Sequence, residues 1–145
     1  MRQTRNITIV DGESQYKFKL TQIPAIKAER WLIRLGIALA KAGLLNIDIK
    51  KLSVSGSDTM SAIANLIVQK GFDFFGQLDP DTVDQLLFTL VSETAVRING
   101  EAVIPITEKE LEIFDDIKAL WQLQKEVFAV NFSSYKNENS LKKQA

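Results

Sequence analysis

Ile7-Thr8-Ile9-Val10-Asp11-Gly12-Glu13-Ser14-Gln15-Tyr16-Lys17-Phe18-Lys19-Leu20 is the stretch on which the fold turns. Ile7 and Ile9 alternate with polar neighbours, Asp11-Gly12-Glu13-Ser14 interrupts the run, and Tyr16, Phe18 and Leu20 then alternate with Lys17 and Lys19. Period-two patterning on both sides of an Asp-Gly turn predicts a β-hairpin within residues 1–22. A lone hairpin is marginal in water, so its apolar face needs a cover. The next element is the candidate. Residues 25–42 follow Pro24, which suits an early helix position, and they end at Gly43, a C-cap residue. At about 100° per residue, Lys27, Arg30, Arg34 and Lys41 fall within an arc of roughly 60°. Trp31 to Leu45 is otherwise apolar or glycine. The pattern predicts a largely buried helix with one narrow basic stripe facing out, and the hairpin packed on the helix that contains Trp31.

Further along, residues 46–57 read as a loop or a short extended piece. Ser57 or Asp58 can cap a second helix with Met60, Ile63 and Ile67 inward, ending at Gly71. Phe72, Phe74 and Phe75 then read as core plugs beside glycines, with an exposed sticky patch as the alternative. Asp79 and Pro80 form an N-cap and N1 pair opening a third helix, with Val83, Leu86, Leu87, Leu90 and Val91 inward. Val96 and Ile98, Asn99-Gly100, then Val103 and Ile104 predict a second short hairpin, its returning strand confined to an edge by Pro105. Thr107-Glu108-Lys109-Glu110 is a capping box, and Ile106 and Leu111 are placed as a hydrophobic staple. The last helix is expected to carry Leu111, Phe114, Ile117, Leu120, Trp121, Val127 and Phe128 on one face and to run to about Phe132. The fold class is therefore mainly α, of α+β type. A four-helix compact domain fills residues 1–132, with one hairpin at its start and another before the last helix. Residues 133–145 form a polar flexible tail in which Leu141 is almost the only apolar anchor.

The chain has 145 residues, the size of a single domain, and can hide roughly 68–70% of its extended surface. Apolar residues make up 46% and charged residues 25%, an ordinary soluble composition. Cysteine and histidine are both absent, so this chain alone builds no disulfide, zinc finger, iron–sulfur cluster, thiol nucleophile or His-based triad. Carboxylate and lysine chemistry remain. Asp79, Asp81 and Asp84 cluster at one helix start, and Asp115 adjoins Asp116; paired carboxylates can hold Mg²⁺ or share a proton. Helix capping explains the first cluster, and no phosphate-cradling glycine loop accompanies either. No catalytic, cofactor-binding or metal residue is assigned, and no cofactor is expected.

Net charge is zero, but the charge is unevenly placed. Residues 1–58 hold ten Lys/Arg against five Asp/Glu, residues 59–116 three against eleven, and residues 117–145 five against two. The segments can neutralise one another or serve a partner. The basic stripe has three readings: a solvated face, a contact for an acidic partner protein, or a nucleic-acid contact. The last is disfavoured by the neutral total and the lack of interleaved aromatics. Trp121, Phe128 and Phe132 share the ambiguity of core or partner contact. The N-terminus shows no apolar signal region, and the Trp31–Leu45 run, interrupted by Arg34 and Lys41, is too short and charged for about 30 Å of hydrocarbon. A cytosolic protein with no membrane partner is expected.

The order of elements, with Gln22-Ile23-Pro24-Ala25-Ile26-Lys27-Ala28-Glu29-Arg30-Trp31-Leu32-Ile33-Arg34 after a hairpin and Val127-Phe128-Ala129-Val130-Asn131-Phe132 at the close, resembles the tail assembly chaperones of long-tailed bacteriophages. The likeness spans most of residues 5–132, and Ala28-Glu29-Arg30-Trp31 with Asn131-Phe132 is its specific part. The resemblance implies a non-enzymatic chaperone that binds the helical tape measure protein and is displaced as tail tube protein polymerises around it. It implies a protein of the host cytoplasm, absent from the mature virion. Homo-oligomerisation stays open. Lys27, Arg30, Arg34, Lys41, Phe128 and Phe132 are the candidate partner-binding residues. Two rivals stand beside this reading: a structural tail component kept in the virion, and a small nucleic-acid-binding regulator. In the resembling family a ribosomal frameshift often adds a second domain. Lys142-Lys143 suits an A-rich slippery site, or simply closes a polar tail.

Overall fold

Two glycines set the strand geometry. Gly12 and Gly100 both have positive φ, 61° and 64°, and each occupies the first position of a two-residue hairpin loop, where the right-handed strand twist favours glycine. A computed structural model describes the backbone of residues 2–43 and 77–144, with side chains to Phe132. Strands β1 (Thr4–Asp11) and β2 (Ser14–Thr21) form the first hairpin, and β3 (Ala95–Asn99) and β4 (Ala102–Pro105) the second. The helices among the described residues are α1 (Ala25–Lys41), α2 (Pro80–Thr94), α3 (Glu108–Leu111) and α4 (Ile117–Gln144). The α+β class follows. The expected helix at 58–71, the segment 46–57 and the Phe72, Phe74 and Phe75 cluster lie outside the described residues.

The two hairpins are one sheet. β2 pairs antiparallel with β3, Leu20 opposite Ala95 and Phe18 opposite Arg97, giving the order β1-β2-β3-β4. β4 is an edge strand, where Pro105 costs no ladder hydrogen bond. The register collects Ile9, Phe18, Leu20 and Ala95, all buried, on one face.

The chain divides into two compact units. The first holds residues 1–24 and 87–131. In it α4 buries Ala119, Leu123, Val127 and Val130, and the Arg5 guanidinium reaches Glu126 at 3.0 Å. Phe114 stacks on Phe18 at a 6.0 Å centroid separation and meets Tyr16 edge-on at 5.6 Å. Arg97 joins β3 to α3 through Glu110 at 3.1 Å. The second unit holds residues 25–86 and 132–145. In it Trp31 stacks on Phe132, centroids 5.3 Å apart, and its indole N–H donates to the Leu86 carbonyl at 2.9 Å.

The last helix departs from expectation. The Thr107 hydroxyl does accept from the Glu110 N–H, as a capping box requires, but the helix it opens ends at Leu111. The reason lies on β1. The Asp11 carboxylate accepts the Asp115 and Asp116 N–H groups at 2.8 and 3.1 Å, bonds that a continuing helix would make to its own carbonyls. Asp116 then starts a new helix by accepting the Lys118 N–H at 2.9 Å. The interruption resets the helical phase. Ile117 and Trp121, expected inward, are 58% and 52% exposed, and Leu111, Phe114 and Leu120 are only half-buried. The helix also continues to Gln144, past the expected end near Phe132.

Candidate functional site

The basic stripe is built by α1. Trp31, Leu32, Leu35, Gly36 and Leu39 repeat at helical spacing and are buried, which fixes the rotation of the helix about its axis. Lys27, Arg30, Arg34 and Lys41 are thereby exposed, as the projection predicts. Four cations along one helix face repel one another weakly in water and attract an acidic surface brought against them.

Phe128 and Phe132 are placed differently. Phe128 is 9% exposed and Phe132 1%, the latter stacked on Trp31, so both are core residues here. The two motifs behind the family resemblance thus meet: Trp31 of the first touches Phe132 of the second. Asn131 has its own task in the first unit. Its carbonyl oxygen accepts the Ile23 N–H at 2.9 Å, and its amide donates to the Thr94 hydroxyl at 2.9 Å and the Val127 carbonyl at 3.0 Å. One buried side chain therefore ties the end of the hairpin, the end of α2 and α4 together. These residues hold the fold. Lys27, Arg30 and Arg34 of the first motif are exposed instead.

Two of the carboxylates considered for metal or proton chemistry cap helices. Asp79 accepts from the Thr82 N–H and hydroxyl at 3.3 Å, capping α2. Asp116 caps α4, and no metal-binding group of three or more acidic side chains forms among the described residues. Sequence reasoning missed the concavity they border. Asp11, Gly12, Glu13, Ser14, Asp115, Asp116 and Ile117 line an open hollow of about 690 Å³ at the β1–β2 turn. An Asp-Asp pair in mid-helix is the signal that could have revealed it, because aspartate marks helix starts.

Compared with known protein families, residues 13–137 match the model of the phage tail assembly chaperone proteins. The chain belongs to this family. The match covers both motif regions, most of the sheet and all four described helices except the last turns of α4. No curated protein and no solved structure matches the chain. A tail assembly chaperone acts in the host cell while tails are built, and its business is with tail proteins. Among the described residues, no helix is long and apolar enough to cross a membrane.

Proposed function

We propose that the protein holds the tape measure protein, the long helical component around which the tail tube forms, and yields it as tube protein polymerises. The family match over residues 13–137 carries this reading. The role is non-enzymatic and set in the host cytoplasm, and the chaperone leaves before the virion is complete. A chain without histidine or cysteine, in which Asp79 and Asp116 cap helices, is suited to binding rather than turnover. Reversible cover of a helix calls for an apolar floor with charged surroundings. The Lys27, Arg30, Arg34 and Lys41 stripe is the proposed charged contact.

Co-expression with the tape measure protein tests the reading. The wild type should keep that protein in the soluble fraction. Arg30→Glu with Arg34→Glu should lower the soluble yield severalfold while leaving thermal stability nearly unchanged, since exposed charges contribute little to folding. Retained solubility in the double variant removes the stripe. An insoluble tape measure protein beside the wild-type chain removes the function. Steeply salt-dependent nucleic-acid binding would favour a regulator instead.

A further inference from the structure

Ile117 and Trp121 stand one helical turn apart on α4, and both are more than half exposed. Residues at i and i+4 lie side by side, so the two form one apolar strip. Exposed tryptophan is uncommon and is the residue most enriched at the centre of binding surfaces. The strip opens onto the hollow at the β1–β2 turn, because Ile117 lines both. Glu13, Asp115 and Asp116 are exposed around that hollow, and Asp11 lies beneath them. Asp11 is fixed by the two backbone N–H groups it accepts, which also hold Asp115 and Asp116 in place. The apolar strip therefore has a preformed acidic end. On a helical projection the exposed Lys118 and Lys125 flank Trp121 on one side, away from Ile117.

We propose that this strip and its acidic hollow form a docking surface for an amphipathic helix of a tail protein, one that carries lysine or arginine next to its apolar face. Its apolar residues cover Ile117 and Trp121, and its cations enter the hollow between Glu13, Asp115 and Asp116. Charge complementarity selects a basic helix over an acidic one at the hollow, and the lysine flank sets the direction in which that helix lies. The inference rests on the chaperone reading for the source of the helix, but the surface itself is testable without it.

The first probe is a synthetic fifteen-residue amphipathic leucine–lysine helix carrying a fluorophore, read by anisotropy against the full chain. Saturable binding should weaken at least tenfold in Ile117→Ser with Trp121→Ser, and severalfold in Glu13→Gln with Asp115→Asn. It should also weaken with rising salt. A leucine–glutamate peptide of the same pattern should bind at least tenfold more weakly, both peptides being compared on the Arg30→Glu with Arg34→Glu chain so that the α1 stripe does not hold the acidic one. Trp31 is buried, so wild-type emission on the red edge reports Trp121 and should shift to the blue as peptide binds. No binding, equal binding of both peptides, or binding indifferent to the serine pair overturns the proposal. Co-expression with the tape measure protein then separates the two readings. If the wild type and the serine pair keep it equally soluble, the chaperone function stands and this surface is not its contact. If the wild type fails, the function is wrong, and the peptide titration still decides the surface.

Discussion

In α1 the stripe from Trp31 to Leu39 is buried, four cations line the outer side and only Ile26 of the first turn is an exposed large apolar residue, whereas α4 buries Ala119, Leu123 and Val127 yet leaves both Ile117 and Trp121 in water. Both helices have enough apolar residues for a core face. They differ in what sets their rotation. α1 follows its own amphipathic period. The first turn of α4 is positioned from outside, by an aspartate on β1 that collects the N–H groups just before it. Local pattern decides a helix face only when nothing distant competes for the backbone at its start.

Asn131 offers the largest break in this comparison. Asn131→Leu keeps the branching at Cγ but strands the Ile23 N–H and the Thr94 hydroxyl, and should cost about 3 kcal/mol. Urea unfolding would show it as a lower midpoint. A loss under about 1 kcal/mol would mean that the α4 end is held by packing alone.

Asp11→Ala comes next and goes to the cause of the difference between the helices. Removing the carboxylate should cost about 1–2 kcal/mol by the same assay. It should also raise hydrogen exchange at the Asp115 and Asp116 amides specifically. Unchanged exchange there would break the claim that β1 sets the phase of α4. Thr107→Ala sharpens the point from the other side. Its cap serves only the short α3, so the expected loss is about 1 kcal/mol or less. The smallest effects belong to the exposed faces. Trp121→Ser and Arg30→Glu with Arg34→Glu should each move stability by no more than about 0.5 kcal/mol.

The elements that were legible are those whose signals are local. The Asp11–Ser14 and Asn99–Ala102 turns, the Asp79 cap and the stripe geometry of α1 all follow from neighbours a few residues apart. Two features were not. The pairing of Leu20 with Ala95 joins segments far apart in the chain with no local signal linking them, so two hairpins could be read but not their single sheet. The break between α3 and α4 depends on Asp11, whose bond to Asp115 spans 104 positions. Of the candidate contacts, the exposure of the four cations followed from about 100° per residue. The exposure of Ile117 and Trp121 did not, because it turns on that distant interruption.

We propose that this chain accompanies a tail protein during assembly and then departs. Quantitative mass spectrometry of tails halted before tube polymerisation, set against purified complete particles, tests it most directly. The chain should be abundant with the tape measure protein in the halted tails and absent from the particles. Stoichiometric recovery from complete particles would contradict the account and make the protein a structural part of the tail.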